Sequence, residues 1–274
     1  MTLDVQQGSV RLEFVSRPDD VRLAFNEAVD AYDDVRPSYP DTFFDAIFDN
    51  LAAQPTIVEV GPGTGQATKD LLARGASVHA IELGPATAER LRSNLASNRL
   101  HVTVADFETM NIAHASADAV FAATAYHWIS PAGQVDRPAY ILRPGGLVTI
   151  IDLIQVDSAA DHGFFAATQP IYERHGQGHF GPPVPTRDDA DPPIRDRFGR
   201  DGRFTNVSVR RCDWDQTYVA SDYRKLMLSY SGTQMMDRDN RDALLDDIEE
   251  LIERSFDGRV TRPLVAALTM ATLA

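Results

Sequence analysis

Between Thr56 and Asp152 five short apolar, β-branched runs alternate with stretches of helical periodicity, and this rhythm restricts the possible folds more than any other feature of the chain. The runs are "TIVEV" (56–60), "SVHAIE" (77–82), "HVTVA" (101–105), "ADAVFAA" (117–123) and "GLVTIID" (146–152). Such alternation predicts an α/β fold: a mainly parallel sheet whose crossover helices cover both faces. Residues 67–73 and 86–96 carry helical spacing, with Leu91 and Leu95 on one face. Upstream, "YPDTFFDAIFDNLAAQ" places Phe43, Phe44, Ile47, Phe48 and Leu51 on one stripe and predicts a packed helix. Downstream, "FTNVSVRRCDW" alternates as a strand, and "SDYRKLMLSYSGTQMM" and "DRDNRDALLDDIEELIERSF" read as helices. The second of these helices buries Leu244, Ile248, Leu251 and Ile252, and "LVAALTMATLA" is a closing strand.

The interval 155–203 breaks the rhythm. Its stretch "HGQGHFGPPVPTRDDADPPIRDRFGRDGR" is dense in Pro, Gly and charge and predicts a long loop or lid. With 274 residues and no internal repeat, the chain fits one domain: residues 1–54 as an N-terminal lid and helix, 55–154 as a core, 155–203 as the insertion, and 204–274 as closing strands and helices. Lys plus Arg number 26 against 40 Asp plus Glu, and a net charge of -14 repels a nucleic-acid backbone. A small molecule is the expected partner, with the protein itself a monomer or homodimer. The single cysteine, Cys212, forms no internal disulfide, and "MTLDVQQGSV" lacks the basic start and apolar core of a signal peptide, so a cytoplasmic location is expected. The longest apolar stretch, "LVTIIDLI", contains a charge and is too short for a membrane span. His175, His179, Asp188, Asp189 and Asp191 match no compact ligand spacing, so no metal is expected.

In "IVEVGPGTGQATKDLLARG" (57–75), Gly61, Gly63 and Gly65 stand where the first strand gives way to a helix. Bare backbone there lets N–H groups approach a ligand that side chains would obstruct, as in a nucleotide-cofactor cradle. In the dinucleotide fingerprint the third glycine follows the second by three residues; here it follows by two, with Gln66 in the fingerprint's third position, which weakens a nicotinamide reading. Glu82 closes the second strand, where a carboxylate accepts from two ribose hydroxyls. Past the third strand, Asp106 can accept from an exocyclic amino group while Phe107 packs on a flat base.

With "YDDVRPSYP", "VEVGPGTG", "IELG", "VADFE", "ATAYHWIS" and "LRPGGLVTIID" in this order, the chain resembles the class I S-adenosylmethionine-dependent methyltransferases, in particular their small-molecule, trans-aconitate methyltransferase-like group. The resemblance runs from about Val29 to the C-terminus and implies a Rossmann-like seven-stranded sheet of order 3-2-1-4-5-7-6 with an antiparallel last strand. It also implies the cofactor S-adenosyl-L-methionine, released as S-adenosyl-L-homocysteine. Carried onto matching positions, it assigns Glu59 and the three glycines to the methionine end, Glu82 to the ribose, and Asp106 with Phe107 to the adenine. Leu83, Ala123, Tyr32 and Arg36 complete the implied cofactor site, with Tyr39, Tyr126, His127 and Trp128 on the substrate side. Two other functions remain open: a nicotinamide-dependent oxidoreductase, and a non-catalytic binding protein that keeps the cofactor fold.

The chemistry implied is in-line displacement, in which an acceptor lone pair, on a carboxylate or hydroxyl oxygen, attacks a methyl group on a cationic sulfur. The expected rate enhancement comes from collinear positioning in a site that excludes water. His127 is read either as the base that deprotonates the acceptor or as a pocket-shaping side chain. Arg36 reads as a clamp for a carboxylate of cofactor or acceptor, and an ionised carboxylate acceptor needs no base. Pro138, in "VDRPAY", is expected to break or kink the helix before "LRPGG".

Overall fold

The computed structural model describes residues 35–177 and 183–274, with the backbone alone at Ser231. Helix α1 (Asp41–Phe48) buries Phe43, Phe44 and Ile47 of the stripe expected of it, while Phe48 is half-buried and Leu51 lies beyond its end, also half-buried. Then follow β1 (Thr56–Val60), α2 (Thr68–Ala73), β2 (Ser77–Glu82), α3 (Pro85–Asn94), β3 (Leu100–Val104), β4 (Ala117–Ala123), α4 (Gly133–Ile141) and β5 (Leu142–Gln155). The rest of the chain comprises α5 (Phe164–Arg174), α6 (Ile194–Arg200), β6 (Phe204–Asp213), β7 (Gln216–Val219), α7 (Ala220–Leu228), α8 (Ser231–Gln234), α9 (Arg238–Ser255), β8 (Arg259–Arg262) and β9 (Leu264–Leu273).

Seven strands form one sheet in the order β3-β2-β1-β4-β5-β9-β6, while β7 and β8 make a separate antiparallel ribbon. Strands β1 to β5 are mutually parallel, and β9 runs antiparallel between β5 and β6. Counted within the sheet, this is the 3-2-1-4-5-7-6 order that the sequence resemblance implied. Strand β5 extends beyond the seven residues expected because β9 supplies its backbone partners, from Leu147 opposite Thr272 to Gln155 opposite Leu264. Its pairing with β4 stops earlier, at Ile151.

Side chains pack on both faces of the sheet. Helices α1, α2 and α3 cover one face through Phe44, Ile47, Leu71 and Leu91 against Ile57, Val78, Phe121 and Ile151. On the other face Phe107, Ile129, Val135, Ile141 and Phe198 meet Val58, Val120, Val148 and Ile150. A third cluster joins α5, α7 and α9 through Phe164, Ile171, Tyr223, Leu226, Leu244, Ile248 and Ile252, and forms a helical cap on the ribbon. Helix α9 is started by Asp237, whose carboxylate accepts from the amides of Asp239 and Asn240.

Two expectations are corrected. The interval 155–203 is not structureless, because α5 and α6 lie within it and bury Phe164, Ile171, Ile194 and Phe198; residues 178–182, His179 among them, fall outside the described residues. Pro138 does not end its helix, and α4 continues to Ile141. Proline removes the amide that would bond the carbonyl four residues back, that of Gln134. The Tyr126 hydroxyl donates to this carbonyl at 2.6 Å, and the Gln134 side-chain amide returns a bond to the Tyr126 carbonyl at 3.1 Å. No described helix is long and apolar enough to cross a membrane.

Candidate active site

The carboxyl ends of β1, β2 and β4 open into a cavity of about 380 Å³. At its floor Gly61 and Gly63 both adopt φ +60°, a conformation that glycine reaches without a Cβ penalty. A Cβ on Gly61 would stand 2.7 Å from the Cβ of Ala125, so only bare backbone fits between this strand end and its neighbour. Gly65 serves another purpose: a Cβ there would meet Leu95 and Leu91 at 2.7 and 2.8 Å, so this glycine admits close packing of α3 and does not line the cavity.

Glu82 ends β2 beside the glycines. Its carboxylate accepts from the Gly63 amide at 3.2 Å and the Gly84 amide at 2.9 Å, which fixes the turn and aims the group along the cavity wall. Leu83, Phe107 and Ala123 line the same end. Phe107 is 3% exposed and held from behind by Arg137, whose guanidinium lies 5.4 Å from the ring and donates to the Phe107 carbonyl at 3.1 Å. Asp106, between the lining residues Ala105 and Phe107, is not itself among them and accepts from the Glu108 amide at 2.8 Å. Glu59 lies beneath the cradle, 1% exposed, and accepts from the Thr68 hydroxyl at 2.8 Å. Burial, reinforced by nearby Glu82, pushes its pKa up to about 8, so it is largely protonated at neutral pH.

The opposite wall is a strap at residues 36–40 that is pinned at three points. Arg36 donates to the Ser229 hydroxyl at 3.1 Å and to its carbonyl at 2.8 Å. The indole of Trp214 donates to the Ser38 carbonyl at 2.9 Å, and Tyr39 shares a 3.0 Å hydrogen bond with Thr124. Arg36, Pro37 and Tyr39 thereby face the cavity. Thr124, just past β4, holds φ +52°, a left-handed conformation unfavourable for a β-branched residue and of the kind concentrated at functional sites. A short helical turn over Tyr126–Trp128 then presents His127 and Trp128 to the cavity, with their rings 5.2 Å apart.

The structure thus brings together Arg36, Tyr39, Gly61, Gly63, Glu82, Leu83, Phe107, Ala123, His127 and Trp128. Tyr32 lies outside the described residues. Tyr126 was expected on the substrate side, but it is 2% exposed with its hydroxyl spent on the Gln134 carbonyl, so it props the wall from within. Burial pushes its phenol pKa up. Lining residues that sequence reasoning missed include Thr124, Leu226, Tyr230 and Arg262. Arg262 donates to the Tyr230 hydroxyl and to the Gln155 side-chain oxygen, the latter at 2.8 Å. Among the described residues no group of three or more His, Cys, Asp and Glu converges as a metal site, and His175 is bonded to Asn240 and Asp247 at 2.8 and 2.9 Å.

Residues 58–150, which run from the first strand through the cradle and Glu82 to β5, match a family described as a methyltransferase domain. An uncharacterized methyltransferase of Mycobacterium bovis is 28% identical over 259 residues, 93% of this chain and 98% of that one. Together these findings support a class I S-adenosylmethionine-dependent methyltransferase. Solved structures of the same fold include a candidate type II methyltransferase from Anaeromyxobacter dehalogenans, at a TM-score of 0.56 and 19% identity over 86% of this chain and 96% of that one. Another is Haemonchus contortus phosphoethanolamine N-methyltransferase 2, at a TM-score of 0.52 and 14% identity over 90% of this chain and 57% of that one. The latter was solved with phosphomonomethylethanolamine and S-adenosylhomocysteine.

The cradle of this chain fits the family's cofactor on its own geometry. Gly61 admits no side chain, and the Glu82 carboxylate and the Phe107 ring both line the cavity beside it.

Proposed function

We propose that this methyltransferase acts on an oxygen of a small-molecule acceptor, a carboxylate or a hydroxyl, bound between the 36–40 strap and the His127–Trp128 turn. The observation that carries this reading is the pinned strap, which bounds a small-molecule-sized space beside the cradle. In the proposed complex Gly61 and Gly63 give backbone room to the methionine end, with Glu59 buried beneath them. Glu82 accepts from the ribose hydroxyls, and Leu83, Asp106 and Phe107 receive the adenine. Ala123 would line the cofactor's side of the cavity. Bound in this way, S-adenosylmethionine supplies a methyl group on a cationic sulfur.

The protein's own part is placement and exclusion of water. Tyr39 and Thr124, bonded to each other, hold strap and strand end at one separation, and Trp128 walls the acceptor side. His127 is exposed at the chamber mouth, where it takes the proton of a hydroxyl acceptor. For a carboxylate acceptor no base is required, and His127 is then a wall. The protein incubated with isotopically labelled S-adenosylmethionine and a panel of small hydroxy and carboxylic acids should transfer label to an oxygen that forms an ester or ether. Transfer only to amines or to macromolecules would refute the reading.

A further inference from the structure

Helix α5 ends in a polar cluster outside the cavity. Gly176, at φ +69°, turns the chain out of the helix, with its amide on the Glu173 carbonyl at 3.1 Å. The residue before it, His175, lies against α9, where Asn240 and Asp247 stand two turns apart on one face. Its Nδ1 is 2.8 Å from the Asn240 side-chain oxygen, and its Nε2 is 2.9 Å from a carboxylate oxygen of Asp247. The Asn240 amide cannot be turned round, because its nitrogen donates to the His175 carbonyl at 3.0 Å and a reversed amide would set oxygen against oxygen. Both ring nitrogens therefore face acceptors, and only the imidazolium, with two N–H groups, satisfies both.

Two charged groups face this ring among the described residues: Asp247 from α9, and Arg174 from its own helix, which donates to the same Asp247 oxygen at 2.7 Å. The next carboxylates of α9, Asp246 and Glu249, are paired instead with Arg224 of α7. The bonds to Asp247 and Asn240 hold the His175 pKa above its ordinary 6.5, and the imidazolium in turn holds Asp247 below the ordinary carboxylate value. Loss of the proton leaves no good arrangement. The neutral ring keeps one N–H, on Nε2 against the carboxylate, so the bare Nδ1 and the Asn240 oxygen oppose their lone pairs across 2.8 Å.

We propose that His175 is a proton-operated clasp: charged, it ties the end of α5 to α9, and on giving its Nδ1 proton to solvent it releases that end and loosens the cap at the acceptor side of the cavity. The link to the cavity is Leu226 of α7, a lining residue that shares one apolar cluster with Phe164 and Ile171 of α5 and Leu244 and Ile248 of α9. The clasp stands independently of any ligand, whereas its effect on acceptor binding rests on the reading of the cavity proposed above.

Hydrogen exchange of the full-length protein, followed by mass spectrometry, tests it. Because the folded pKa is raised, protection of residues 164–177 is full below 6.5 and falls as pH rises through the folded value. After correction for the intrinsic rate, this segment should lose protection by about 3–10-fold between about pH 6 and about pH 9, while β1 and β4 keep theirs. His175→Gln, neutral throughout, should show the reduced protection at every pH, and Asp247→Asn should move the transition to lower pH. If His175→Gln does not fold, Asp247→Asn carries the test. A parent segment whose protection does not fall, or falls equally in the variants, overturns the clasp. S-adenosylhomocysteine affinity should be the same in parent and His175→Gln, and a difference overturns the confinement of the clasp to the acceptor side. A clasp that behaves as expected in a parent that binds no S-adenosylhomocysteine stands, and refutes the cofactor reading instead.

Discussion

At the cradle end of the cavity the shape is set by backbone close at hand: the turn at Gly61 and Gly63, and the amides of Gly63 and Gly84 that hold Glu82. At the acceptor end they are made by side chains drawn from distant parts of the chain, with Arg36 from the strap, Leu226 and Tyr230 from the cap, and Arg262 from the ribbon. The first kind of surface is set once β1 and β2 pair, so it tolerates change in most neighbouring side chains and serves one constant ligand. The second depends on how the α5–α7–α9 cluster docks, so it can be altered residue by residue for a different acceptor. A fold that divides its cavity in this way can keep its cofactor while its substrate changes.

The largest break in that division should come at Gly61. Gly61→Ala forces a side chain into a φ +60° position with 2.7 Å between its Cβ and that of Ala125, so we expect about 2–4 kcal/mol of destabilisation. Cofactor affinity should fall by about 10–100-fold, measured by urea unfolding and calorimetry. A variant with parental stability would show that backbone closeness does not build this end.

Glu59 tests the same end through pH. Its carboxyl, pushed from 4.5 up to about 8 by burial, lowers stability as pH rises from its unfolded value through its folded one, since the buried group must then ionise or stay protonated at a cost. Glu59→Gln removes the titration. The variant should match the parent near about pH 5 and exceed it by on the order of 1–3 kcal/mol above about pH 8 in urea unfolding. A stability difference that does not change with pH would contradict the assignment.

Tyr126 supports the wall between the two ends. Tyr126→Phe leaves the Gln134 carbonyl, already deprived of its helical donor by Pro138, without the 2.6 Å bond, and should cost about 1–3 kcal/mol in thermal or urea unfolding. S-adenosylhomocysteine affinity should be unaffected. A large loss of that affinity would place Tyr126 in the site after all.

The smallest effect should be confined to the cap. Asp237→Ala removes the two amide bonds that start α9 and should cost about 0.5–2 kcal/mol, again without change in cofactor affinity. A loss of cofactor affinity in this variant would show that cap and cradle are coupled, contrary to the division.

What could be read from the sequence follows the same line. Strand alternation, the glycine turn, Glu82 and Phe107 are local patterns, and each occupies the place that its spacing indicated. Helices α5 and α6 were obscured by proline, glycine and charge around them, because Pro170 lies inside α5 and Pro193 caps α6; only packing of Phe164 and Phe198 reveals them as structure. The role of Pro138 depended on Tyr126, whose aromatic side chain read equally as pocket wall. Arg262, in "RVTRP", carries no local signal, and only the tertiary approach of Tyr230 and Gln155 makes it part of the site.

Calorimetric titration of S-adenosylhomocysteine into the parent, Glu82→Ala and Arg262→Met proteins tests the divided cavity most directly. Glu82→Ala removes the carboxylate that anchors the turn and, in the proposed complex, accepts from the ribose, so affinity should weaken by about 1–3 kcal/mol, whereas Arg262→Met should match the parent. Unchanged affinity in Glu82→Ala, or an equal loss in Arg262→Met, would contradict the account.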